Sequence, residues 1–148
     1  MSLTGQPIHQ KGQHRRNVAP VADGQRKPRM RDKAHLAFIA TLPCVICLAY
    51  GVHVAHVRYA SAADGACIVG KSEKPSDWRT VPLCPAHHTD GPEAQHRMSE
   101  RDWWAGHGIN PYTIAASLYR LTGLFNKAVF VVESANVLFN SDNQTRSK

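Results

Sequence analysis

The sequence predicts a small α+β domain: one two-stranded hairpin set among short helices. Three observations predict it. Residues 52–59 and 80–83 are β-branched stretches with the length and alternation of antiparallel strands. Asp32, Ser99 and Asn110-Pro111 each stand where a helix would begin, and a Pro or Gly soon ends the helix each would open. Cys44-Val-Ile-Cys47 and Cys84-Pro-Ala-His87 flank the strands, and two such pairs supply the four ligands that a tetrahedral Zn2+ takes in a closed structural site.

The chain opens on residues 1–31, a basic arm rich in Gln, Gly, Pro, Arg and Lys. It holds too few large apolar side chains to offset chain entropy, so it is expected to be flexible. Residues 1–33 carry eight Lys or Arg against two Asp, nearly all of the net charge of +7. Each cation beside a phosphate releases a condensed counterion. Charge alone leaves open both a polyanion-binding arm and a solubilising tail.

From the Asp32 N-cap a helix should run to about residue 42, with Leu36, Ile39 and Ala40 at helical spacing and Pro43 ending it. The two strands follow. The loop between them, with Asp64-Gly65, Gly70, Pro75 and two lysines, is long enough to be functional or held by something. Beyond Cys84 the pattern turns helical until Gly91-Pro92, and Pro92 is expected to open a new helix. Ser99 and Asp102 resemble a capping box for a helix over 100–106. Asn110-Pro111 is an N-cap and N1 pair for a helix carrying Ile114, Leu118 and Leu121, closed by Gly123. Residues 125–139 are apolar without a clear period, and the last nine or so have the composition of a disordered tail. The expected plan is an arm (1–31), a compact domain (32–123) and a C-terminal extension (124–148).

A length of 148 residues with 43% apolar side chains fits one core plus tails. No apolar h-region follows the N-terminus and no apolar run approaches membrane-spanning length, so a soluble cytoplasmic protein is expected. In a reducing compartment Cys44, Cys47, Cys67 and Cys84 point to metal rather than disulfides. Cys44, Cys47, Cys84 and His87 are the candidate structural zinc ligands. Cys67, alone in the loop, is expected to be a free thiol, with substitution for His87 as its other role.

A structural zinc leaves His56 and His88 without a task. Ala55-His56-Val57-Arg58, then Lys74-Pro-Ser-Asp77-Trp, then Val81-Pro-Leu-Cys84-Pro-Ala-His87-His88, resembles in order and spacing the HNH (His-Asn-His, ββα-metal) endonuclease family. The likeness is to its phage and prophage branch with zinc knuckles, and it covers about residues 32–122. It implies a small ββα-metal core and a DNA endonuclease that leaves a 5′-phosphate and a 3′-hydroxyl. It makes His56 the strand histidine that activates water and His88 the helix histidine that holds a catalytic Mg2+ or Mn2+. Asp77 falls at the middle position, usually Asn in the family, with two roles open: orienting His56 or bracing the loop. The family's further ligand before the strand histidine is here Ala55, so another ligand must come from elsewhere. His96 is the candidate, eight residues beyond His88 on one side of a continuous helix, although Gly91-Pro92 interrupts that helix. A recombination or replication protein is the partner implied.

Phosphodiester hydrolysis needs a nucleophile made from water and neutralisation of charge on the phosphate and leaving oxygens. Arg58, Lys71 and Lys74 are candidates to grip phosphate, against the alternative of solvated surface charges. His53 lies on the strand face opposite His56 by parity and is set aside. His9, His14, His35 and His107 have no motif around them. Trp78, Trp103 and Trp104 are read as structural, with one of the adjacent pair in the core and its neighbour half exposed. A rival of a different class is a non-catalytic zinc module that binds DNA or a partner and needs only the four zinc ligands. A zinc deaminase is disfavoured because no His-x-Glu segment stands before a Pro-Cys-x-x-Cys in this sequence.

Overall fold

A computed structural model describes residues 29–146, so the arm up to residue 28 and the last two residues lie outside it. The chain is α+β. Four helices, α1 (Lys33–Ile39), α2 (Glu100–Gly106), α3 (Pro111–Arg120) and α4 (Phe125–Arg146), surround strands β1 (His53–His56) and β2 (Thr80–Leu83).

Asp32 caps α1 by accepting from His35 N at 2.9 Å, and the chain then turns through Leu42 into the first Cys pair. β1 and β2 pair antiparallel, His53 opposite Leu83 and His56 opposite Thr80. Strand β1 is shorter than the β-prone stretch, although Val57 N still donates to Arg79 O at 2.8 Å. All of β2 is buried, since α1 and α3 both pack against it. His35 is fully buried there, with Thr80 and Thr122 hydroxyls on its two ring nitrogens.

After Cys84 the chain departs from a regular helix. Ala86–Asp90 is a π-type turn and Gln95–Arg97 a single 3-10 turn, so Pro92 opens no helix. The π turn stops at Gly91, where a Cβ would lie 2.2 Å from the Ala86 carbonyl oxygen; only glycine allows this close approach. α2 has the expected bounds, yet Ser99 makes no side-chain cap bond. Asn110 does cap α3, accepting from Tyr112 N and Thr113 N.

The C-terminal extension is the main departure. The supposedly disordered last residues are helical as far as Arg146, as part of α4. α4 packs on α3 and buries Ala128, Val132 and Asn136 at i, i+4 and i+8. Trp103 and Trp104 are both in the core, at 2% and 1% exposure, so neither serves as a half-exposed cover. No described helix is long and apolar enough to cross a membrane.

Candidate metal centre

The first Cys pair is shaped by a tight knuckle between α1 and β1. Cys44 N donates to Ala49 O and Leu48 N to Cys44 O, both at 2.8 Å, with Leu48 at φ 61°. Val45 N donates to Pro82 O at 3.1 Å and ties this knuckle to β2. The second pair starts where β2 ends, and the Cys84 carbonyl accepts from both His87 N and His88 N. Ligand atoms of Cys44, Cys47, Cys84 and His87 consequently all lie within 4.8 Å of one another.

Three of the separations lie close to those of a metal site. Cys84 Sγ is 3.1 Å from His87 Nδ1, Cys47 Sγ is 3.7 Å from Cys84 Sγ, and Cys44 Sγ is 3.7 Å from His87 Nδ1. Bonds of about 2.0–2.3 Å at tetrahedral angles place ligands about 3.3–3.8 Å apart. The cluster can hold a metal ion, and three thiols with one imidazole suit Zn2+. Burial pushes the Cys44 thiol up to about 12, so a thiolate there needs a cation beside it. Burial also lowers His87, which keeps its ring neutral and able to ligate. Cys67 is exposed and outside this group; His87 occupies the fourth position.

His87 and His88 are adjacent, and successive side chains on a helical turn diverge by roughly 80–100°. Thus His87 faces the cysteines while His88 faces elsewhere. His88 Nδ1 lies 3.1 Å from His53 Nδ1, and its ring stands 4.5 Å from that of His96. Burial first, then the neighbouring His96 and His53, pulls His88 down to about 4 against the opposite pull of Asp90.

His56 has different company. Its Nε2 is 3.2 Å from Asp77 Oδ1, the same oxygen that accepts from Arg29 Nη2 at 2.8 Å, while Asp77 Oδ2 accepts from Asp32 N at 2.9 Å. Burial raises the Asp77 carboxyl, but the bonds from Arg29, Asp32 and His56 outweigh it and hold it at about 2. Burial lowers His56; Asp77 opposes this, and Arg29 and Lys74 reinforce it. An Nε2–H donated to Asp77 leaves Nδ1 with the lone pair.

No family model matches the chain, and no curated protein or solved structure matches it either.

The fold brings the predicted residues together in three groups rather than one. Cys44, Cys47, Cys84 and His87 form the metal cluster, His56 joins Asp77, and His88 joins His96. The last two groups sit at opposite ends of the hairpin, because His56 pairs with Thr80 and His53, the partner of His88, pairs with Leu83. Three residues of β-strand rise separate those ends by about 10 Å. Arg58 directs its guanidinium to the carbonyls of Lys71 and Glu73, bracing the loop, while Lys71 and Lys74 are exposed. Sequence reasoning missed Arg29, assigned to the arm, and His53, set aside by parity. An Arg close to the first helix and a third histidine near the knuckles were the only signals of either.

Proposed function

We propose that the chain is a metal-dependent endonuclease that hydrolyses DNA phosphodiester bonds by HNH-type chemistry on a ββα-metal core. The observation that supports this most is the contact between His56 and Asp77, an imidazole oriented at one nitrogen by a buried carboxylate. That is the arrangement a general base needs. Asp77 fixes the tautomer, and the His56 Nδ1 lone pair takes the proton from water. Burial keeps His56 neutral below the ordinary histidine value, so the acid limb of the rate profile should fall below pH 6.5. Lys74 and Lys71 lie exposed on the loop leading to Asp77, where a phosphate backbone could meet them. A divalent ion, Mg2+ or Mn2+, held by His88 and His96 would supply charge neutralisation at the scissile phosphate and the leaving oxygen.

A second reading is favoured by one observation: His56 and His88 have separate partners at opposite ends of the hairpin. On it the chain is a non-catalytic zinc module that binds DNA or a partner, and Asp77 is a brace between the chain before α1 and the loop. Supercoiled plasmid incubated with the purified protein, with and without Mg2+ or Mn2+, separates the two. Nuclease action requires metal-dependent nicking by the wild type, with loss in His56→Ala and His88→Ala at unchanged zinc content. Plasmid left intact by the wild type, or nicked equally by both variants, would remove the enzymatic assignment.

A further inference from the structure

We infer that α4 is the contact between two copies of this chain, packed antiparallel about a two-fold axis at Ser134. Helix α4 continues over residues 137–146, past Asn136, the last of its buried residues among those described. A short helical stretch that buries nothing is marginal in water, so this part of α4 calls for a cover. The inference stands apart from the proposed nuclease, since α4 carries none of the residues invoked there.

The face turned away from the core is arranged for a partner of identical shape. Ala128, Val132 and Asn136 mark the buried side, and at about 100° per residue Ser134 lies nearly opposite them. The residues three and four positions to either side of Ser134 are Phe130, Val131, Val137 and Leu138, all apolar. Phe130, Val137 and Leu138 are 69%, 60% and 68% exposed, and Val131 is half-buried. Seven positions to either side stand the polar Lys127 and Ser141. The pattern reads alike in both chain directions, as an isologous contact requires. With two such helices antiparallel and crossing at Ser134, Phe130 falls against Val137 of the second copy and Val131 against Leu138 of the second copy. The crossing residue is small, which lets the backbones approach. Ser134 Oγ already donates to Phe130 O at 2.7 Å and Ser141 Oγ to Val137 O at 2.9 Å, so covering these hydroxyls strands no donor.

Area and charge both bear on the occupant. Residue areas of about 150–200 Å² give Phe130, Val137 and Leu138 about 350 Å² of coverable surface per copy, or about 700 Å² for the pair. A rim of Lys127, Glu133 and Ser141 brings the total to about 1,000 Å², the lower limit of a specific interface. The dimer should therefore be weak, with a Kd on the order of 10–100 μM. The α4 sequence holds two cations and two anions. A polyanion gains nothing from that balance, and a helix lying on a membrane carries an excess of Lys or Arg on its polar side. A neutral, apolar, self-complementary face suits a second copy.

The test is sedimentation of the zinc-loaded full chain from about 1 to 300 μM, a range that brackets the expected Kd. The mass should rise from 16.4 kDa toward twice that value. Phe130→Lys and Leu138→Glu should each weaken association about tenfold or more, with zinc content and far-UV circular dichroism unchanged because both side chains are exposed. Register is read separately by oxidative crosslinking with peptide mass spectrometry. Ser134→Cys should give a disulfide joining position 134 of two copies, whereas Asn126→Cys should not, as its two copies would lie about 24 Å apart along the helices. A monomer at every concentration, a dimer indifferent to both charge substitutions, or crosslinking at position 126 instead of 134 would each overturn the inference. So would a monomer that binds anionic lipid vesicles and loses that binding in Phe130→Lys, since α4 would then cover itself with lipid.

Discussion

Asp77 is 2% exposed and meets three donors from two parts of the chain: the Arg29 guanidinium and the Asp32 backbone N–H before α1, and the His56 ring in β1. Its carboxyl titrates at about 2 in the folded protein against an ordinary 3.8. A depressed carboxyl contributes stability that is present above its unfolded value and lost as the pH falls through the folded one. The difference amounts to about 2 kcal/mol, fully present above about pH 4 and disappearing toward pH 2. Asp77→Asn should thus lose about 2 kcal/mol in urea unfolding at pH 7 and match the wild type near pH 2; equal stability at pH 7 would contradict the ion pair with Arg29. Single residues were only partly legible in sequence. Asp77 stood out in the Lys-x-x-Asp loop, but its partner Arg29 lies 48 positions away, a pairing that no spacing rule reveals.

Among the elements, α2 and α3 make a matched pair for testing caps. Asn110 accepts from two backbone N–H groups at the start of α3, whereas Ser99 makes no such side-chain bond at α2. Asn110→Ala should cost about 1 kcal/mol and Ser99→Ala less than about 0.5 kcal/mol in denaturant unfolding. A similar cost for both would mean that Ser99 caps α2 in solution. α1 and α3 were legible because their N-caps act through bonds two or three residues away. α4 was not. Its apolar side chains are spread around the helix, with Phe130, Val137 and Leu138 exposed while Ala128 and Val132 are buried. Only packing on α3 selects which face turns inward, so no period shows beforehand. The turns after Cys84 were misread for a related reason: helical residue types are there, but the Cys84 carbonyl and the Gly91 approach wind them as a π turn.

Across the whole molecule the metal cluster is the point where distant parts meet. The first knuckle bonds to β2, the second pair continues from β2, and Asn136 of α4 donates to the Ile46 carbonyl inside the first knuckle. Core residues from α1, both strands, α2, α3 and α4 form one cluster that includes Cys44 and Cys84. Removing the ion should therefore loosen the fold as a whole. Strong chelation, or Cys84→Ser, is expected to lower the melting temperature by more than about 10 °C and to release one zinc per chain; an unchanged melt would show that the core stands without the metal. The four ligands, the two strands and the capped helices could be read from the chain alone, because knuckles and caps are local chemistry with fixed offsets between residues. Which histidines face one another could not. The parity rule that set His53 aside holds within a strand, but His88 lies beyond β2 on a turn that carries it back to the end of β1. Such contacts depend on strand register and on the course of the chain between elements, and those are fixed only when the core closes.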